Sequence, residues 1–78
     1  MQTSAVRPLS ERERSVLTEL AIGRSTEEAA EAMHLSPHTV RSHVKSALRK
    51  LGAQTRSHGI AIAIADSQID VTEQLAAR

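Results

Sequence analysis

Leu35-Ser36-Pro37-His38-Thr39-Val40-Arg41-Ser42-His43-Val44-Lys45-Ser46-Ala47-Leu48-Arg49-Lys50-Leu51-Gly52 is the stretch that decides the fold. Ser36 is a good N-cap, because its hydroxyl can accept a bond from an early helical amide. Pro37 suits the first helical position, where its missing N–H costs nothing. Leu35 before the cap and Val40 just inside the helix form a hydrophobic staple. Val40, Val44, Ala47, Leu48 and Leu51 then recur at helical spacing, and Gly52 closes the run. The spacing predicts a helix over 37–51 with one apolar face turned to a core. Opposite that face stand His38, Ser42, Lys45 and Arg49, with Arg41 on one shoulder and His43 and Lys50 on the other. No carboxylate interrupts them. Such a face suits the major groove: Arg and Lys for guanine edges, small hydroxyls for adaptable contacts, cations for phosphates.

Upstream, only His34, Leu35 and Ser36 separate this helix from a short one predicted over 26–33. Ser25 and Glu28 make its capping box, and Ala29, Ala30 and Met33 face inward. Before it, Ser10 and Glu13 cap a helix over 11–22, with Val16, Leu17, Leu20 and Ala21 on one side and Gly23 at its end. Two helices joined by a three-residue turn, the second one basic, make a helix-turn-helix. Downstream of Gly52, Thr55 or Ser57 caps a fourth helix over 56–66. Its Ile60-Ala61-Ile62-Ala63-Ile64-Ala65 run alternates as a strand would, but no second strand exists to pair with it, and Ala is depleted in strands. Residues 1–8 read as a flexible leader, 9–66 as the domain, and 67–78 as a C-terminal tail in which Ile69 packs and the rest frays.

Composition narrows the function. The 78 residues contain no Phe, Tyr, Trp or Cys. The core must therefore be aliphatic, which favours packed helices, and thiol catalysis, disulfides and thiolate metal sites are excluded. Arg41, Lys45, Arg49, Lys50 and Arg56 concentrate the positive charge between residues 40 and 58, flanked by segments in which acids outnumber bases. A local basic stripe of this kind is the footprint of a polyanion-binding element. His38 and His43 do not share a helix face, and His34 and His38 straddle the cap, so no metal site is expected. Nothing holds a serine and a histidine in a buried nucleophile–base geometry, so neither catalysis nor a cofactor is expected. The apolar run at 60–65 is far short of the ~20 residues that span a bilayer. The N-terminus lacks a hydrophobic stretch. A cytoplasmic protein without membrane contact is the expectation, and the short leader after Met1 favours a free-standing chain over a fragment of a larger one.

Residues 9–65 resemble the DNA-binding domain of LuxR/GerE-type transcription regulators. Leu9-Ser10-Glu11-Arg12-Glu13 with Val16-Leu17 is similar to the family's opening, and Ala21-Ile22-Gly23-Arg24-Ser25 to its first turn. Leu35 to Val44 with Lys50-Leu51-Gly52 is similar to its recognition helix, and Arg56-Ser57 with the Ile/Ala run to its dimerisation helix. The resemblance implies an all-α, four-helix helix-turn-helix domain that binds specific double-stranded DNA as a homodimer. It implies that Arg41, Ser42 and Lys45 read bases and that Thr39 and His43 help hold phosphates. His38, Arg49 and Lys50 complete the expected DNA-facing set. Ala29 and Gly59 depart from the family pattern; the first implies either looser packing of helix 2 or compensation by Met33, the second costs up to about 1 kcal/mol of helix stability.

Within the fourth helix, Ile60 and Ile64 are assigned to the domain's own core, and Ile62 with Ala61 and Ala65 to a two-fold contact. That patch is small, which predicts a weak homodimer or a monomer, with pairing completed on DNA. The alternative is that Ile62 packs under the C-terminal tail through Ile69 or Leu75. RNA polymerase is a further candidate partner for a regulator of this kind. Two rival readings are a sigma-factor-like promoter-recognition domain and a small helical interaction module that no longer binds DNA.

Overall fold

Ser10, Ser25, Ser36 and Thr55 each hold extended backbone, and each side chain accepts a hydrogen bond from the amide three residues on. Those four caps start four helices in the computed structural model, which describes residues 7–76. They are α1 (Glu11–Ala21), α2 (Thr26–Met33), α3 (Pro37–Leu51) and α4 (Arg56–Ala65). All lie within one residue of the ranges that the sequence predicts. A fifth, α5 (Thr72–Ala76), was not foreseen; Asp70 Oδ1 opens it by accepting the Thr72 N–H at 3.0 Å. No strand occurs among the described residues, and residues 1–6 of the expected leader lie outside them. Left-handed backbone ends α2 at His34 (φ 58°) and α3 at Gly52 (φ 68°).

α3 lies between the others and packs against α1, α2 and α4. Its first half enters one apolar cluster with Val16, Ala29 and Ala30 through Val40 and Val44. Its second half enters another, in which Ala47 and Leu51 meet Leu9, Leu17, Ala63 and Ile69. Ala29 is fully buried in the first cluster, so the small residue brings α2 close rather than leaving it loose.

The approach of α4 to α3 corrects two expectations. Gly59 is buried, and a Cβ built on it would overlap Leu48 Cδ2 and stand 3.6 Å from the Ala53 Cβ. The glycine that weakens the helix is thus the position that lets Leu48 sit against it. One turn on, Ala63 is also fully buried, so the line of closest contact carries a glycine and an alanine. The isoleucines flank that line. Ile60 and Ile62 lean half-buried on the core, whereas Ile64, expected inside, is 43% exposed. A helix that is apolar all round does not reveal its inner face by hydrophobicity; side-chain size decides it here. Gly59→Val is expected to destabilise the domain by about 1–3 kcal/mol through overpacking, read as a lower thermal midpoint.

Packing also runs past residue 66, where the sequence reading ends the domain. Ser67 turns left-handed (φ 61°), and the Gln68 and Ile69 amides donate back to Ala63 O at 2.8 and 3.3 Å. Gln68 then joins the two ends of the fold: its Oε1 accepts the Leu9 N–H at 2.7 Å, and its Nε2 donates to Arg7 O at 3.0 Å. Ile69 and Val71 are both buried. Residues 7–9 and 66–71 are therefore structural parts of this domain.

Candidate nucleic-acid interface

Burial of Val40, Val44, Ala47 and Leu51 fixes the rotation of α3 about its axis. The residues half a turn away must then face solvent. His38, Arg41, Ser42, Lys45 and Arg49 are all exposed. The first four line one shallow concavity formed on α3. It gathers a guanidinium, an ammonium, a hydroxyl and an imidazole, a set dominated by hydrogen-bond donors. Thr39 and His43 are half-buried at the helix margins. The Thr39 hydroxyl lies 2.9 Å from Ser36 Oγ and so shares in the cap.

Lys50 does not belong with them. Its Nζ lies 2.9 Å from Glu13 Oε1, and that carboxylate is almost wholly buried. The expected DNA-facing lysine is instead paired with Glu13 at the edge of the fold, because it sits on the shoulder of α3 that borders α1. Arg56 is likewise engaged, donating to Thr26 Oγ1 at 2.9 Å and so tying α4 to α2. Of the five cations between residues 40 and 58, Arg41, Lys45 and Arg49 remain on the solvent face of α3.

Glu13 is the residue that sequence reasoning undervalued. The sequence assigns it to a capping box, and its Oε1 does accept the Ser10 N–H at 2.8 Å. The same side chain also accepts Ser46 Oγ–H at 2.6 Å and the Lys50 ammonium, clamping α1 onto α3. Burial is the largest single influence on its carboxyl and opposes ionisation. The bonds from Ser46, Ser10 and Lys50, with the Lys50 charge, together outweigh burial and lower its pKa from 4.5 to about 2. The available signal was Ser46 and Lys50, four apart on one edge of α3 and both able to donate to one acceptor.

On α4, the exposed apolar side chains are Ala61, Ile64 and Ala65. Of the expected two-fold contact, Ala61 and Ala65 are accessible, whereas Ile62 is half-covered by the core. Among the described residues, no group of three or more His, Cys, Asp or Glu side chains could hold a metal ion, and no helix is long and apolar enough to cross a membrane.

Comparison with known proteins bears on the family and the fold. Residues 7–63 match the model of the luxR family of bacterial regulatory proteins. The transcriptional activator protein BjaR1 of Bradyrhizobium diazoefficiens is 41% identical over 56 residues, covering 72% of this chain and 23% of that protein. The solved structure of the transcription factor GerE is similar with a TM-score of 0.77 at 28% identity, over 81% of this chain and 94% of that one. The Vibrio cholerae VqmA dimer, solved in the absence of target DNA, gives a TM-score of 0.72 at 26% identity, over 80% of this chain and 29% of that one. This chain thus spans less than a third of the length of BjaR1 or VqmA.

Proposed function

The chain belongs to the luxR family of bacterial regulatory proteins and is a transcription-regulator domain of that family; from that premise we propose that it reads a specific double-stranded DNA sequence with α3 in the major groove. The observation that carries this reading is the concavity of His38, Arg41, Ser42 and Lys45 on the face of α3 opposite its buried residues. Arg41, Ser42 and Lys45 are the base readers. Arg donates in a fork that matches a guanine edge, and lysine and serine adapt to either acceptor. Arg49, further along the same face, and His43 and Thr39 at the margins are positions suited to phosphates. Lys50 is withdrawn from the set because Glu13 holds it. The module that does this extends from Arg7 to Val71.

Selection of bound duplexes from a random library is the test, followed by a salt titration of the winning sequence. Binding that neutralises phosphates falls linearly in log–log form, and Arg49→Ala is expected to lower the slope by about 0.9. A chain that enriches no sequence, or whose binding ignores salt, is a protein-interaction module instead.

Pairing of two copies is the second part of the proposal. The exposed strip Ala61, Ile64 and Ala65 is the apolar face that a two-fold partner would cover. Its area is well below the roughly 800 Å² per partner of a stable interface. The free chain is then a weak dimer, completed on DNA by half-sites about one helical turn apart. Ile64→Glu is expected to abolish cooperative binding to a two-half-site duplex and to spare binding to a single half-site. Because Ile64 is exposed, the helicity of this variant should match the parent. Cooperativity that survives Ile64→Glu would move the two-fold contact elsewhere.

A further inference from the structure

We infer that His38 is a proton-linked phosphate contact, so that this domain binds duplex DNA more tightly as the pH falls through the imidazole range. The inference rests on the DNA-binding reading above and adds a dependence which that reading does not require. His38 is exposed and lines the same concavity as Arg41, Ser42 and Lys45. A neutral imidazole offers one N–H donor; the charged form offers two, with a positive charge. A phosphate brought into a group of cations favours the charged form of any imidazole among them. Proton uptake and DNA binding are then linked, and each strengthens the other.

The groups that face His38 across the concavity are Arg41 and Lys45, both from α3, with the Ser42 hydroxyl between them. Among the described residues, none from α1, α2 or α4 lines it. The acids nearest in the chain, Glu28 and Glu31 of α2, line a separate concavity with Arg24. No carboxylate therefore competes with DNA for the imidazolium there. His43 is half-buried on the other shoulder of α3, and His34 is exposed at the end of α2. His34, which has no part in the proposed interface, is the control.

The experiment measures association with a fluorescein-labelled duplex recovered by the library selection, at fixed ionic strength, between about pH 5 and pH 8. Wild-type affinity is expected to rise on acidification, by up to about tenfold per pH unit for each proton taken up. His38→Gln should lose most of the rise, while His34→Gln keeps it. The salt slope of the wild type should be steeper at the acid end by about 0.9 per protomer, and that of His38→Gln should not. An affinity that ignores pH, or a rise that persists in His38→Gln, overturns the inference and leaves the DNA-binding reading intact. No affinity for any duplex at any pH overturns both.

Discussion

Glu13→Ala is expected to cost about 3–5 kcal/mol, the loss typical of removing one partner from a buried ion pair. A small domain has only about 5 kcal/mol or a little more to lose, so this variant should be largely unfolded at neutral pH. The deletion leaves three donors without their acceptor at once: the Lys50 ammonium, the Ser46 hydroxyl and the Ser10 amide. Lys50 keeps a side-chain exposure of 29% and can turn partly to water, which favours the lower end of that range. Glu13→Gln keeps the shape and an acceptor but not the charge, and should lose less. Adding Lys50→Met to Glu13→Ala removes the stranded cation and should recover part of the loss. Urea unfolding of the four proteins gives the comparison directly. If Glu13→Ala unfolds at the same denaturant concentration as the parent, the clamp between α1 and α3 contributes nothing.

The same carboxylate gives the domain an acid limit. Its pKa is about 2 when folded against 4.5 as the reference value. The unfolded chain therefore takes up the proton first. The contribution of Glu13 is fully present above the reference pKa and is lost as the pH falls from there through about 2. Its size is at most about 3 kcal/mol. In Glu13→Gln that part of the pH dependence should vanish. A wild-type thermal midpoint that does not fall over this interval would contradict the origin assigned to it.

What the sequence made legible were the features encoded locally. Ser10, Ser25, Ser36 and Thr55 announce their helices within three residues, and the apolar spacing of α3 fixes its rotation from Val40 to Leu51. Four expected DNA-facing residues consequently lie together in one concavity. The hidden features join positions distant in the chain. Glu13 and Lys50 are 37 residues apart, and the Ser46/Lys50 spacing offers two donors without saying which acceptor they meet. Gly59 reads as a helix defect until Leu48 is seen occupying the space of its missing side chain. The apolar pattern of α4 places Ile60 on the core but misplaces Ile64, because isoleucines surround the helix and only contact with α3 selects Gly59 and Ala63 for the inside. Ile69 and Val71 are buried by a reversal at Ser67 that no glycine or proline marks.

The double variant Arg41→Ala/Lys45→Ala is expected to lose the selected duplex while retaining the fold. Each base contact contributes about 1–3 kcal/mol to recognition; the pair together should cost about 2–6 kcal/mol, bringing the selected sequence close to nonspecific DNA. Both side chains are exposed on the face of α3 away from Val40 and Val44, so thermal midpoint and helicity should stay near the parent's. Lys50→Ala supplies the opposite pattern. It leaves buried Glu13 without its cation, so it should lower the thermal midpoint, yet the folded fraction should bind the duplex as the parent does. The two measurements therefore separate cations that face DNA from the one that serves the fold, although all three lie within ten residues of a single helix. If the double variant holds the selected duplex as tightly as the parent, α3 is not the reading helix. If Lys50→Ala weakens binding without lowering the midpoint, Lys50 leaves Glu13 to reach the DNA, and the clamp opens on binding.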